Sequence, residues 1–470
     1  MRRNWPYMEN HGECSKPKKS KCCSSWGPTG ARWADLPTVV LQQIFQYLSP
    51  EDRKNASCVC RHWREIYFHP KWWKAVTFRI NHDNITKSKF LASTFASIVS
   101  KATISLECLT PQCIDEFIDL LRLLHKNNLL RSLVIEPSHC RLDDSVDSLI
   151  CAGGERRIIE IRNLILDVLP KLREFSLGGL EDLAYFSDSF LRNASPSKIT
   201  LLGLASIRDN LAINQMNYFT PDLMSSFKKL QILSVDYDQL SNTFLHNLKE
   251  LNDLQRLIVH VHAIPTNHSE TSNEAWKNFK VAHPKCLLRL TVVHAYMDIR
   301  KLHLQVLKEN MPLSHIKVFF CEYVNLELLH ILSRFYKNTL RSVMWIDSLS
   351  NVPGSWKFLR PSHNPDPLVL ITWLCTQFEE LVLYGYKYPE ENLVAIGRLK
   401  GSRMKKLEIP KNDIVTESIR YRANPIKEVE KNLKGAWKPI YSGDLHPVII
   451  DPTLGDSDEF LLPYILADLH

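Results

Sequence analysis

The chain has 470 residues, with 59 basic side chains against 51 acidic ones and a formal net charge of +8. Its 15 glycines fall well below the usual level of about 7%, which argues against a glycine-rich nucleotide-binding enzyme and excludes a collagen-like or linker-rich protein. No window reaches the roughly 18 apolar residues that a membrane span needs. The leucines are uneven, because residues 1–100 hold 4 of the 65 and residues 101–400 hold 53. The middle of the chain therefore follows a different structural plan from its ends.

Residues 1–31 contain six basic and two acidic side chains, a net charge of +4, and no apolar periodicity. We expect a disordered basic leader here. Its run from Lys16 to Lys21 has two interpretations, a nuclear-import signal or a solvated tail without a specific role. The start lacks the apolar run of a secretory signal, and the 12 cysteines show no pairing pattern. We therefore expect a reduced protein of the cytoplasm, the nucleus or both.

Residues 33–78 have the pattern of a small helical module. Pro37 suits the first turn of a helix, and apolar residues recur over positions 40–48 as one broad stripe. Ser49 before a proline marks a second helix start, and a third helical segment covers positions 58–67. Because so few residues bury little apolar surface, we expect the module to dock against the next domain or a partner.

From Trp73 onward one six-residue pattern recurs, apolar-x-x-apolar-x-apolar. Its copies begin at Trp73, Lys101, Leu130, Leu172, Pro196, Leu230, Leu254, Leu287, Leu313, Leu340, Phe378 and Met404. Seven of the eleven intervals are 24 to 29 residues long, near the roughly 20–29 period of leucine-rich repeats. Helical stretches at 112–127, at 157–169 and from Asn325 onward lie between the copies.

Strands that alternate with helices at this period predict an α/β fold, an irregular leucine-rich-repeat solenoid with a curved parallel sheet and outer helices. The alternative is an ordinary α/β domain. We predict four regions, a leader at 1–31, a helical domain at 32–78, divergent repeats at 79–413 and a C-terminal extension at 414–470. The extension shows no clear repeat, and its place in the fold stays open at this point.

The helical module resembles an F-box, and a set of mostly apolar residues at the family's spacing carries the resemblance. These residues are Leu36, Pro37, Leu41, Ile44, Phe45, Tyr47, Leu48, Val59, Cys60, Arg61, Trp63, Trp72 and Trp73. Two positions depart from the family pattern, Val39 in place of an acidic residue and Arg53 in place of leucine. A second stretch, residues 366–402, resembles an F-box protein with a leucine-rich-repeat-like tail.

The resemblance implies a non-catalytic substrate receptor of an SCF-type ubiquitin ligase. Its F-box is expected to bind a Skp-type adaptor, which binds a cullin scaffold and a RING protein, while the repeats hold a protein substrate for ubiquitination and proteasomal degradation. The candidate adaptor-binding residues are Leu36, Pro37, Val40, Leu41, Ile44, Phe45, Leu48, Val59 and Trp63. Without the resemblance, packing of this hairpin on the first repeat would be an equal alternative.

In a leucine-rich repeat the variable positions of each strand face solvent on the concave side, and basic residues are frequent at these positions here. The candidate substrate-binding residues are Arg173, Arg256, His260, Arg289, Lys317, Phe319, Arg341 and Tyr384. We hypothesise that they bind an acidic or phosphorylated segment, which arginine can hold through two hydrogen bonds. The alternative is a merely solvated sheet face.

Enzyme motifs are missing from the sequence, including the phosphate-binding, dinucleotide-binding, zinc-protease and serine-hydrolase patterns. We therefore expect no catalytic residue, no cofactor and no metal, and the spacing of His11, Cys14, Cys22 and Cys23 matches no common metal site. The competing function is a leucine-rich-repeat scaffold or nucleic-acid-associated protein without a ligase role. Neither a membrane nor a nucleic acid is an expected partner of the favoured receptor.

Overall fold

The structure is a computed structural model that describes residues 33–142, 152–208, 219–262, 264, 268, 270–349, 365–416, 425–433, 437 and 439–470. The predicted leader at 1–31 and the weak metal candidates within it lie outside the described residues. The chain divides into two compact units, with the division between Trp72 and Trp73. No helix in the described part of the chain is long and apolar enough to cross a membrane.

The first unit holds three helices, α1 (Thr38–Tyr47), α2 (Pro50–Ala56) and α3 (Arg61–Tyr67). The two predicted start signals are present, since Pro37 occupies the position before α1 and the Ser49 hydroxyl accepts a hydrogen bond of 3.1 Å from the backbone N–H of Asp52. Such a cap satisfies a donor that the first helical turn leaves unpaired. Local sequence thus fixes where these helices begin.

In the second unit, the described residues form a parallel sheet of twelve strands and a separate pair of short strands. The strands of the large sheet are β1 (Ala75–Ile80), β2 (Lys101–Leu106), β3 (Ser132–Pro137), β4 (Glu174–Ser176), β5 (Leu201–Gly203), β6 (Ile232–Asp236), β7 (Arg256–Val261), β8 (Leu287–Val293), β9 (Leu313–Phe319), β10 (Ser342–Ile346), β11 (Glu380–Tyr384) and β13 (Lys406–Glu408). The short pair is β12 (Tyr388–Pro389) with β14 (Ile414–Val415).

Helices follow the strands along the chain. They are α4 (Ile85–Phe95), α5 (Pro111–His125), α6 (Ala152–Val168), α7 (Glu181–Ala184), α8 (Ser187–Asn193), α9 (Asn242–Leu248), α10 (Asn273–Ala282), α11 (Leu302–Gln305), α12 (Leu326–Phe335), α13 (Pro367–Leu374), α14 (Glu390–Lys400), α15 (Pro425–Asn432), α16 (Pro447–Ile450) and α17 (Ser457–Leu466). The three helical stretches predicted from apolar spacing correspond to α5, α6 and α12.

Each strand of the large sheet pairs with the next one in the sequence, so the strand order follows the chain. From β3 to β7, the central buried apolar residue of each strand pairs with its counterpart in the neighbouring strand, in the row Leu133, Phe175, Leu202, Leu233 and Leu257. Stacking these rows gives the continuous core that no single repeat can make. The predicted α/β architecture, a helical domain followed by a curved parallel sheet with helices, is confirmed.

Two predicted copies were placed in the wrong register. The copy that begins at Lys101 centres on Ile104, whereas Ala102 pairs with the central residues Val76 and Leu133 of its neighbours, so that pattern starts two residues earlier. The weak copy that begins at Pro196 puts its apolar positions at Ile199 and Leu201, whereas the structure buries Ile199, Leu202 and Leu204. The pattern therefore starts three residues later, and β5 covers Leu201–Gly203. The first strand also begins before the predicted domain boundary at 78, because Ala75 pairs with Lys101 in the sheet.

Candidate functional site

The three helices of the first unit pack around Leu41, Phe45 and Ile66, which are almost fully buried. The rings of Phe45 and Trp63 meet edge to face, with centroids 5.8 Å apart. The His62 ring hydrogen-bonds the backbone oxygen of Leu36 at 2.9 Å and so ties the chain before α1 to α3. This small core uses one face of α1 and leaves the other face available.

The structure separates the predicted adaptor-binding residues into three groups. Pro37, Val40 and Val59 are exposed; Leu36, Ile44, Leu48 and Trp63 are half-buried against the core; Leu41 and Phe45 are buried. The last two side chains are held within the unit, so in this conformation they are not accessible to a partner.

Two exposed apolar side chains of α1 were absent from the predicted set. Val39 is 66% exposed and Tyr47 is 84% exposed. Val40 and Tyr47 are seven residues apart and therefore lie on the same side of the helix, two turns from each other. Apolar side chains that are exposed together on one side of a small domain indicate a contact surface, whereas singly exposed ones need no such explanation. The signal was available in the sequence, because the stripe from 40 to 48 is wider than one buried face needs.

Arg53, which departs from the family pattern, contacts Trp72. Its guanidinium lies 4.7 Å from the centroid of the Trp72 ring, and its Nε donates a hydrogen bond of 3.0 Å to the Leu48 backbone oxygen. A cation over an aromatic face contributes favourable energy. The arginine therefore packs where an apolar residue is usual in the family.

The concave face of the second unit is formed by the third, fifth and seventh positions of each copy. Residues 445–470, here called the C-terminal segment, cover a large part of this face. Its apolar side chains Leu445, Val448, Ile449, Phe460, Leu461, Leu462 and Ile465 share one buried cluster with Val293, Phe319, Met344, Ile346, Val382 and Tyr384 of the sheet. The extension whose place was left open by the sequence is thus a packed part of the second unit.

Charged groups hold the end of the C-terminal segment. The Asp468 carboxylate, which is almost fully buried, lies 2.7 Å from Arg289 Nη1 and 2.8 Å from Lys317 Nζ. Lys317 also donates to the Tyr464 backbone oxygen, at 2.6 Å. Arg256 donates to the backbone oxygens of Asp468 and His470. Burial raises the pKa of Asp468, but Lys317 and Arg289 outweigh this effect and hold it below its usual value.

The expectation that the concave positions face solvent is wrong for most of the predicted substrate-binding residues. His260, Lys317, Phe319 and Tyr384 are buried, Arg256, Arg289 and Arg341 are half-buried, and Arg173 is exposed. The physical reason is the C-terminal segment, which removes the middle of the face from water. The concave side chains of the first two strands, Thr77, Arg79 and Lys101 among them, are exposed or half-buried.

A sequence signal for this cover existed and was missed. Positions that should face solvent hold Val293, Phe319, Met344, Ile346 and Val382 in consecutive later repeats. A water-exposed sheet face carries polar residues at such positions, so an apolar run there indicates a second layer. The apolar helix α17 supplies that layer.

Three potential metal ligands meet at the ends of β6 and β7. One ligand atom each from Asp236, His260 and His262 lies within 4.8 Å of the others. Both imidazoles hydrogen-bond the backbone oxygen of Ser206 at 2.9 Å, and the Arg208 guanidinium lies 3.7 Å from Asp236. Because these atoms are engaged with protein groups and a guanidinium sits beside them, the arrangement is suited to a structural hydrogen-bond network rather than to a cation.

Acidification is expected to destabilise the second unit partly through His315. Burial and the nearby Arg289 lower the pKa of His315 to about 4, against about 6.5 unfolded. Between these values the unfolded chain binds more protons than the folded one, so stability falls as the pH drops. The loss from pH 7 to pH 5 is about 1–2 kcal/mol. Urea unfolding of wild type and His315→Gln at both pH values measures it.

The variant should lose less stability on acidification than wild type by that amount, since glutamine does not titrate. The exposed His246, changed to glutamine in α9, is the matched control and should follow wild type. Equal losses for wild type and His315→Gln would contradict the assignment.

Comparison with known proteins fits this architecture. Residues 33–79 match the F-box-like family model. The chain thus carries an F-box-like domain, followed by a leucine-rich-repeat-like domain, which is the class of protein that the sequence resemblance indicated.

The chain is similar to F-box only protein 33 of Homo sapiens, with 24% identity over 483 residues that cover 89% of this chain and 85% of the relative. It is also 35% identical over 91 residues to F-box/LRR-repeat protein 21 of Mus musculus, covering 18% of this chain and 20% of that protein. A solved structure of the Rad7 and Elc1 complex in yeast matches 82% of this chain and 90% of its own, with 13% identity and a TM-score of 0.41. The resemblances to an F-box and to an F-box protein with a leucine-rich-repeat-like tail are confirmed.

Proposed function

We propose that this protein is the substrate-recognition subunit of an SCF-type E3 ubiquitin ligase. The observation that carries the proposal is the F-box-like domain at 33–79, whose first helix presents exposed apolar side chains. In this function the domain binds a Skp-type adaptor, the adaptor joins it to a cullin scaffold with its RING protein, and the second unit binds a protein destined for ubiquitination and proteasomal degradation. The receptor itself catalyses no step, and it works in the cytoplasm, the nucleus or both.

The physical support is that α1 has apolar side chains both on its buried side and on its exposed side. Leu41 and Phe45 point into the core and fix the helix, while Val40 and Tyr47 lie in water. An amphipathic helix that keeps apolar side chains exposed gains free energy when a partner covers them, at about 25 cal/mol per Å². The adaptor-binding surface in this proposal is therefore Pro37, Val39, Val40, Tyr47 and Val59.

Retention of a purified Skp-type adaptor on the immobilised full chain tests the proposal. The double variant Val40→Asp with Val59→Asp should weaken retention by roughly 100-fold or more, because both carboxylates would lose water at the interface. These side chains are 39% and 67% exposed, so the fold tolerates the change. Substituting Leu36 and Ile44 instead would disturb the core they pack against.

Val281→Asp is the matched control, because Val281 is 76% exposed on α10 of the second unit. It should retain the adaptor as wild type does. Failure of the wild-type chain to retain the adaptor would contradict the proposal and favour the alternative, a repeat scaffold without a ligase role. A steep salt dependence of binding to RNA or DNA would point the same way.

A further inference from the structure

The C-terminal segment lies on the concave face in the manner of a bound peptide. One side of α17 and the residues around it place Phe460, Leu461 and Ile465 in the apolar cluster with Phe319 and Met344. The turn after the helix places Asp468 among basic side chains. The face therefore recognises two features in sequence, an apolar helical turn and then a carboxylate.

Basic side chains hold the end of the segment. Arg289 and Lys317 reach the Asp468 carboxylate, whereas Arg256 donates to the backbone oxygens of Asp468 and His470. Burial, followed by the nearby Arg289, lowers the pKa of Arg256. The second oxygen of Asp468, Oδ2, is buried and has no hydrogen-bond partner among the described residues. The segment thus leaves one of its own acceptors without a donor from the described residues of the face.

The segment also underfills the face. A small cavity remains between Ile465 and Leu469 and the strands at Gly203, Ala205 and Ser234. Thr453 and Leu454, which connect α16 to α17, are exposed to water. A contact with unfilled space, an unpaired carboxylate oxygen and an exposed tether is one that a better-fitting ligand can replace.

We propose that the concave face between β5 and β11 is a peptide-binding groove whose resident occupant, residues 457–470, competes with a partner segment of the same chemistry. That partner segment is a helical turn with an apolar side followed by an acidic residue. The inference rests on the proposed receptor function, in which the partner is the substrate. A tethered occupant is present at an effective concentration of about millimolar, so only a partner that fits the groove better displaces it.

The test uses the full chain with a protease site placed in the exposed loop at Thr453–Leu454 and cut only after folding. A dye-labelled synthetic peptide of residues 456–470 is added, and fluorescence anisotropy follows its binding. We expect saturable exchange of the labelled peptide for the cut segment. A peptide with Asp468→Asn should bind about tenfold or more weakly, since it loses charge-assisted contacts with Arg289 and Lys317.

Absence of exchange while circular dichroism shows the cut chain to be folded would overturn the proposal and make the segment a permanent layer. Equal affinity of the wild-type and Asp468→Asn peptides would overturn the role of charge. Adaptor retention is measured on the uncut chain in parallel. Exchange can therefore fail while adaptor binding persists, and the reverse result would reject the ligase proposal instead.

Discussion

Asp468→Asn is expected to lower the free energy of unfolding of the second unit by about 3–5 kcal/mol. The change removes the one carboxylate that Arg289 and Lys317 share and leaves two cations with little access to water. Arg289 and Lys317 can then regain water only if the end of the C-terminal segment detaches. Urea unfolding followed by circular dichroism measures the loss, and limited proteolysis should cut the variant first within residues 451–470.

Glu459→Gln is the matched control for this change. Glu459 lies in α17 of the same segment, its side chain is 72% exposed, and it lies 3.9 Å from the His446 ring nitrogen. Exposed pairs contribute about 0–1 kcal/mol, so this variant should unfold close to wild type. An Asp468→Asn variant as stable as Glu459→Gln would show that the buried cations do not need the carboxylate.

Gly178→Ala is expected to cost about 3 kcal/mol or more. Gly178 follows β4 with a φ of +71°, in the left-handed region that side chains disfavour, and a Cβ there would stand 2.2 Å from the backbone oxygen of Ile135 and 2.6 Å from Pro137 Cδ. Since the oxygen belongs to strand β3, relief requires the two strands to separate. The expected result is a lower unfolding midpoint and loss of the contact between adjacent repeats, which amide hydrogen exchange around β3 and β4 measures.

Gly443→Ala supplies the comparison, because a Cβ at Gly443 would meet no atom within 4 Å. That variant should stay within about 0.5 kcal/mol of wild type. If both alanine variants unfold together, the close approach of β3 and β4 is not what requires glycine at 178.

The strands of the large sheet were predictable because their signal is local and repeated. A copy such as Leu254 to Val259 predicts a strand, its buried side and the residue that pairs with the next strand. The neighbouring copies carry the same pattern. The copy at Pro196 failed for the opposite reason. Its apolar residues run together as Leu201, Leu202 and Leu204, so two registers fit the six-residue pattern equally well. Only the neighbouring strands select between them.

The candidate sites were predicted less completely, because burial depends on residues far away in the sequence. The pattern that marks Lys317 or Tyr384 as facing away from the core is correct, yet both are buried by residues more than sixty positions later. In the first unit, spacing alone could not tell that Phe45 fills the core while Tyr47, two residues on, is in water. The resemblance identified the domain, and the structure separated its supporting residues from its available ones.

In the stretch at 366–402, which carries the second resemblance, individual residues form local hydrogen bonds and turns. Asp366 accepts hydrogen bonds from the backbone N–H groups of Leu368 and Val369 and from the Tyr388 hydroxyl. Gly385 has a φ of +83°, and a Cβ there would stand 2.6 Å from a neighbouring backbone oxygen. Residues of this stretch thus cap a helix and form a tight turn.

The strand order has a consequence for how the second unit unfolds. In an array where each repeat pairs only with the next, one end can fray while the other persists, and cooperativity decays with distance. The C-terminal segment changes this connectivity, because Asp458 bonds the backbone of Cys140 across 318 positions and Lys317 bonds Tyr464 across 147. These hydrogen bonds connect early repeats to late ones through the C-terminal segment. The repeats between Cys140 and Lys317 are therefore expected to unfold together once the C-terminal segment has docked, and separately before it docks.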